Sequence, residues 1–250
     1  MGKVPRKRLD VLLVEKGLAD SPEHAQALIM AGEIFDEKGV RLDKAGTAVP
    51  EDTALEIRSR KSAFASRGGH KLEHAFQKFS FSVEGKVCLD IGASTGGFTD
   101  CLLKHGAKHV FAVDVGYGLL DSLLRKDPRV TNLEKTNARF LKASDVTAEP
   151  SVCVMDVSFI SIKQVAEPLA KNFPSLRDFI FLFKPQFEVA PKYVLKGGIV
   201  ENQTVIDDAL DTFSMWGHER GLDLLGGPES SPLPGKKSGN VEYLLHYGRR

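Results

Sequence analysis

The chain opens with two short amphipathic patterns. Leu9, Leu12, Leu13 and Leu18 fall on one helical face, and Gly17 ends that run. Ser21 then caps a second helix, with Pro22 at its first position and Ala25, Leu28 and Ile29 turned inward, and Gly32 stops it. Short runs at 33–35, 40–42 and 55–57 read as strands, with Asp-Glu-Lys-Gly as a hairpin-like turn after the first. From residue 87 onward the pattern changes. Strand-like runs at 87–91, 109–115, 152–157, 178–183 and 241–247, with weaker ones at 130–133 and 222–225, alternate with helical patterns at 98–105, 119–125, 162–172 and 205–220. This order predicts an α/β, Rossmann-like domain with a mostly parallel seven-stranded sheet covered on both faces and an antiparallel strand near its end. A small α+β module precedes it.

Composition narrows the class. The 250 residues are 42% hydrophobic and 27% charged, which supports a packed core and argues against wholesale disorder. A net charge of +1 carries no global signature of nucleic-acid binding, so any such surface must come from local clusters. One cluster is RSRKSAFASRGGHK, where Arg58, Arg60, Lys61, Arg67 and Lys71 occur without an acid. It reads either as a linker with RNA contacts or as plain solvated surface. Cys88, Cys101 and Cys153 sit in apolar segments without metal-ligand spacing, so reduced core residues and no metal are expected. The N-terminus MGKVPRKRLD has no apolar stretch behind it, and no run approaches the ~18 apolar residues of a membrane span. The expectation is a soluble, cytoplasmic protein.

The chemistry gathers where an open parallel sheet places it, after the carboxyl ends of the strands. The stretch VCLDIGASTGGFTD is an apolar strand, a turn of small residues (Gly92, Ala93, Ser94, Thr95, Gly96, Gly97) and a helix beginning at Phe98. Glycines let backbone approach a ligand, and a helix N-terminus offers unpaired N–H groups. Ser94 stands where the dinucleotide fingerprint has its second glycine, which disfavours a nicotinamide oxidoreductase. Asp114, ending the second strand, suits the hydroxyls of a ribose, or simply starts a turn. Asn137, after the third, is a candidate for an adenine contact. Asp156 ends the fourth strand. Lys184 leaves the apolar fifth strand straight into Pro185, so its ammonium either reaches the site or closes a structural ion pair. Apolar surroundings and neighbouring cations favour the neutral amine of such a lysine and make it a base. Glu242 is either the outward face of an alternating strand or part of the same site.

Seven motifs, SRGGHKL, LDIGASTGGFTD, AVDVGYG, DPRV, MDVSFIS, KPQFE and GNVEYLL, occur in order over most of the chain. Together they resemble the TlyA, or hemolysin-A, family. That resemblance implies an N-terminal RNA-binding domain of the αL type, shared with ribosomal small-subunit protein four, at 1–60, a basic linker at 61–70 and an FtsJ-type methyltransferase domain at 71–250. It implies S-adenosylmethionine bound at 92–98, Asp114, Asn137 and Asp156, and a Lys-Asp-Lys-Glu tetrad falling on Lys71, Asp156, Lys184 and Glu242. The implied reaction is 2′-O-methylation of ribose, at cytidine, in ribosomal RNA or ribosomal subunits, with no metal required.

RLDVLLVEKGLADS and AQALIMAGEI follow the αL pattern, yet Ser21-Pro22 replaces the family's Ser-Arg, and Asp36 and Glu37 add acid in the turn. Residues 1–62 carry 11 Lys+Arg against 11 Asp+Glu, so phosphate contacts would rest on Arg6, Lys7, Arg8, Arg58, Arg60, Lys61 and Arg67. Two other classes compete with an enzyme. One is a ribosome-assembly factor that keeps the fold without turnover. The other is a pore-forming hemolysin, against which stand the absent membrane span and the acids Asp207, Asp208 and Asp211 on the long helix.

Overall fold

A computed structural model describes residues 4–57, 63–235 and 239–250. Strand β1 (Arg6–Arg8) leads into α1 (Leu9–Glu15) and α2 (Pro22–Ala31), followed by β2 (Ile34–Asp36), β3 (Ala48–Pro50) and β4 (Leu55–Ile57). Ser21 Oγ accepts the His24 N–H at 3.2 Å, and Gly32 closes α2 in the left-handed conformation, as the capping pattern requires. Leu9, Leu12, Leu13, Ala25, Ile29, Ile34 and Val49 form the small core of this module. Its strands pair as β1–β3 and β2–β4. The expected strand at 40–42 reduces to a single bridge, Phe35 to Arg41, while the β1–β3 pair was hidden in the sequence. Arg-Lys-Arg reads as a charge cluster, and only the antiparallel partner makes it a strand.

The second part begins with α3 (Gly68–Lys78) and alternates β5 (Val87–Ile91), α4 (Gly97–Lys104), β6 (His109–Val113), α5 (Ser122–Lys126), β7 (Val130–Leu133), β8 (Val152–Met155), α6 (Ile162–Asn172), β9 (Asp178–Phe183), α7 (Pro185–Glu188), α8 (Gln203–Glu219), β10 (Leu222–Ser230) and β11 (Tyr243–Arg249). The sheet has seven strands in the order β10-β11-β9-β8-β5-β6-β7. β5 to β9 run parallel, and β11 is antiparallel to both its neighbours. Strand β9 shows why it is buried on both faces. Phe179, Phe181 and Phe183 enter the core beneath α6 and α8 with Leu169, Phe213 and Trp216, while Ile180 and Leu182 enter the core beneath α3 and α4 with Leu72, Phe98 and Leu102. Each fully buried Phe contributes about 1.5–3 kcal/mol, and Phe213 meets Phe181 and Phe183 edge-on at 5.8 and 5.5 Å.

Several strand ends fall short of the hydrophobic pattern. β6 stops at Val113 and β8 at Met155, so Asp114 and Asp156 lie just past their strands. β11 starts at Tyr243 rather than 241, because Glu242 leaves the ladder and turns into the protein, where it is 3% exposed. Among the described residues, no helix is long and apolar enough to cross a membrane.

Gly92 holds φ at +83°, and a Cβ there would overlap the carbonyl oxygen of Asp156. Strain and overlap both act on backbone, so neither can relax through a side-chain turn. Gly92→Ala is therefore expected to cost about 1–3 kcal/mol of stability, read as a drop in the urea midpoint at unchanged m-value. A variant that unfolds at the wild-type midpoint would show that the two strand ends are not in this contact.

Candidate active site

Sheet register brings the site together. Ile91 pairs with Met155 across β5 and β8, so the next residues, Gly92 and Asp156, lie side by side, and the Asp156 N–H donates to Ile91 O at 2.9 Å. Phe183 pairs with Tyr243 across β9 and β11. Because these two strands are antiparallel, the residue after Phe183 and the residue before Tyr243 are adjacent: Lys184 and Glu242. Lys71 arrives from the first turn of α3.

Two ion pairs result. Lys184 Nζ lies 2.5 Å from Asp156 Oδ1 and donates to Ser158 Oγ at 3.0 Å. Lys71 Nζ lies 2.5 Å from Glu242 Oε2. Lys184 and Glu242 are buried, at 8% and 3% exposure, so neither ammonium nor carboxylate is spread over solvent. Charge held this way is oriented, and it is sustained only by its partner.

The small-residue turn is tied down by its neighbours. The N–H groups of Gly92 and Ala93 both donate to Val113 O, and the Ser94 N–H donates to Asp114 Oδ2 at 2.9 Å. Three amides that the sequence offers to a ligand are thus used inside the protein. Ser94 takes φ +50°, the left-handed conformation that a glycine would adopt freely. Asp114 Oδ1 accepts from Gly116 N–H at 2.7 Å. Each carboxylate oxygen retains a further lone pair, so Asp114 is pre-oriented and can still accept from two hydroxyls. Phe98 is buried beneath α3, in the core. Asn137 caps the short turn Ala138–Phe140, its Oδ1 accepting from Arg139 N–H at 3.1 Å.

Three features escaped the sequence reading. Ser158 is the second partner of Lys184. Phe159 is 82% exposed, holds φ +66° and lies 5.4 Å from the Phe187 ring. Glu188 accepts from Ser161 Oγ and from the Ile162 N–H, each at 2.7 Å, which ties KPQFE to MDVSFIS; burial raises its carboxyl above the usual range. The motif letters hinted at all three, but no periodicity distinguishes them.

The basic residues are dispersed. Arg8 forks onto the buried Asp10 at 2.7 and 3.0 Å, Lys7 pairs with Glu15 and Glu51 at 2.8 and 3.2 Å, and Arg6 donates to Ala48 O at 2.6 Å. The Lys7 pairs are surface pairs that phosphate could replace at small cost, whereas Arg8 screens a buried acid. Arg67 is exposed at the start of α3 and makes no ion pair among the described residues. Arg58, Arg60 and Lys61 lie outside the described residues.

Beneath the turn, Asp90 is completely buried. Its Oδ2 accepts from Thr99 Oγ1 at 2.6 Å, and its Oδ1 has no hydrogen-bond partner among the described residues. Burial above all, with Asp156 and Asp114 nearby, pushes its carboxyl up to about 7. An unfolded Asp titrates near ~3.9, so between those values the folded chain keeps a proton that the unfolded chain has released. Stability from this group is complete below the lower value and is lost as pH rises toward the higher. Asp90→Asn, which cannot titrate, is expected to lose less Tm than the wild type between roughly pH 4 and 7. Parallel Tm curves for the two proteins would show that Asp90 does not titrate in this window.

Comparison with known proteins places this geometry. Residues 64–249 match the FtsJ-like methyltransferase family. The chain is 44% identical, over 96% of its length and 89% of the relative's, to the 16S/23S rRNA (cytidine-2′-O)-methyltransferase TlyA of Mycobacterium tuberculosis. It is 41% identical to Hemolysin A of Brachyspira hyodysenteriae, over 96% and 99% of the two chains. A solved structure named "Putative hemolysin from Streptococcus thermophilus" superposes with a TM-score of 0.73 at 38% identity, covering 99% of this chain and 90% of the other. With two oriented lysine–carboxylate pairs at the carboxyl edge of its sheet, and the family's match spanning that whole domain, the chain belongs to the FtsJ-like methyltransferases.

Proposed function

We propose that this chain methylates a ribose 2′-hydroxyl, at cytidine, in ribosomal RNA, using S-adenosylmethionine. The observation that carries the reading is the Lys184–Asp156–Ser158 cluster set one residue beyond the β5–β8 pairing, beside the small-residue turn. A poor nucleophile needs a positioned proton acceptor and positive charge near its oxygen, and these residues supply both.

The site fits the cofactor on two grounds. Asp114 is held by two backbone amides with acceptor capacity to spare, and Gly92 lets the small-residue turn lie directly against the backbone of Asp156. Residues 92–97, Asp114 and Asp156 would hold it, with Asn137 toward the base; bound there, S-adenosylmethionine supplies an electrophilic methyl group. Once its ammonium has released a proton to solvent, Lys184 accepts the 2′-hydroxyl proton on the neutral Nζ and is again the cation that pairs with Asp156. Asp156 and Ser158 fix the direction of that nitrogen. Lys71, anchored by Glu242, adds a second cation that favours the developing oxyanion. Holding two reactants in line can supply roughly 7–11 kcal/mol of the barrier, so most of the acceleration is assigned to positioning. RNA contacts are assigned to Arg6, Lys7 and Arg67 first, with Arg8, Arg58, Arg60 and Lys61 as further candidates.

The test is transfer of labelled methyl from S-adenosylmethionine to unmodified bacterial ribosomal subunits and to free rRNA, with the product mapped by its resistance to alkaline cleavage. Lys184→Ala is expected to lower transfer by about 10²–10⁴-fold while cofactor binding stays within a few-fold of wild type. Undiminished transfer by that variant would remove Lys184 from its role. Cofactor binding without transfer to any ribosomal substrate would favour a non-catalytic assembly factor.

A further inference from the structure

On α3, Lys71 and Glu73 are two residues apart and therefore point to opposite sides of the helix. Lys71 faces the site described above. Glu73 faces α4, where Cys101 and the C-terminal His105, four residues apart, share one helical face. His105 Nε2 lies 2.8 Å from Glu73 Oε2, Cys101 Sγ lies 3.9 Å from the same oxygen, and one donor atom from each of the three falls within 4.8 Å of the others. Thiolate, imidazole and carboxylate together form a donor set suited to a borderline-soft cation and poorly suited to Mg²⁺ or Ca²⁺.

We propose that Glu73, Cys101 and His105 bind one Zn²⁺ ion, with water as the fourth ligand, and so clip α3 to α4 on the side away from Lys71. Zn–N and Zn–O bonds of ~2.0–2.2 Å and a Zn–S bond of ~2.3 Å imply ligand separations of roughly 3.3–3.6 Å around a tetrahedron. The carboxylate–imidazole contact must open by about half an ångström, the Cys101–Glu73 contact close by slightly less, and the Cys101–His105 separation, which lies within 4.8 Å, close by up to about 1.2 Å, all of which side-chain rotation can supply. Glu73 and His105 are each about one-third exposed, so the ion and its water reach the site from solvent although Cys101 is fully buried.

The surroundings support the ligands. Phe76 stacks on the His105 ring at 3.8 Å and 10°, which sets its plane, and the Gln77 amide approaches Glu73 Oε1 at 3.5 Å. The His105 hydrogen bond already holds the Glu73 carboxyl below its usual range, so this ligand is charged. The Cys101 thiol is pushed up by burial, so its proton must leave when the ion binds. The clip joins the helix that carries Lys71 to the helix that follows the small-residue turn. Their starts already approach closely: a Cβ on Gly97 would lie 2.8 Å from Gly69 N.

The experiment uses the full chain, stripped with chelator and titrated with Co²⁺ as a spectroscopic probe and then with Zn²⁺. The expected result is saturable one-to-one binding, with a thiolate-to-Co²⁺ charge-transfer band and tetrahedral visible bands that Zn²⁺ abolishes by displacement. Binding to the folded state alone should also raise Tm with Zn²⁺ concentration. Cys101→Ser removes the band. Because Cys101 is in the core, the partly exposed His105→Gln and Glu73→Gln carry the decisive comparison, and both should lose saturable binding while keeping the metal-free Tm near that of wild type. Absence of a thiolate band in wild type, or a band and a Zn²⁺-dependent Tm that survive His105→Gln, would overturn the site and leave Glu73–His105 as an ordinary ion pair.

Discussion

The pairing of β5 with β8 is the constraint on which the site depends. With Ile91 opposite Met155, the first residue beyond each strand is forced into contact, and the backbone of Gly92 lies against that of Asp156. The small-residue turn and the acid that holds Lys184 are then parts of one edge. A register slip would turn the apolar side chains of β8 from one core to the other, and two fully packed cores forbid it. The precision of the site is inherited from hydrophobic packing well below it.

The same packing explains how the edge carries so much charge. Lys184 and Glu242 are nearly buried, and Asp90 wholly so. The first two are held by partners of opposite charge, and the third is favoured as the neutral acid. These are two answers to the cost of desolvation: pair the charge, or remove it. The paired charges lie where the aromatic layer of β9 ends, at Lys184 and Glu242, and burial there limits the competition of water for their hydrogen bonds. In such surroundings the direction of an ammonium is set by its partners, Asp156 and Ser158 for Lys184 and Glu242 for Lys71, which is what positioning of reactants requires.

Charge on the rest of the surface follows a different logic. The N-terminal module spends Arg8 on the buried Asp10 and balances Lys7 with Glu15 and Glu51. Arg67 at the start of α3, by contrast, is unengaged among the described residues and sits four residues before Lys71. Affinity for a polyanion on this chain is thus a matter of which cations are free, more than of net charge.

What could be read in the sequence was whatever depends on near neighbours along the chain. The caps at Ser21 and Gly32, the buried strands β5, β6, β8 and β9, the turn at 92–97 and the acids just past their strands all follow from local spacing, because period and turn chemistry are local properties. The resemblance in seven motifs grouped the distant Lys71, Asp156, Lys184 and Glu242 into one tetrad, and the structure paired Lys71 with Glu242. Tertiary structure decided the rest. It made a strand of Arg6–Arg8 by supplying Ala48–Pro50, and it turned Glu242 inward by starting β11 only at Tyr243. It gave Lys184 a serine partner, and it set Glu73 beside Cys101 and His105. Each of these needs a partner from another element, and a hydrogen bond or ion pair between residues far apart in sequence leaves no periodic trace; it exists only once the two cores have packed and fixed the register that brings the partners together.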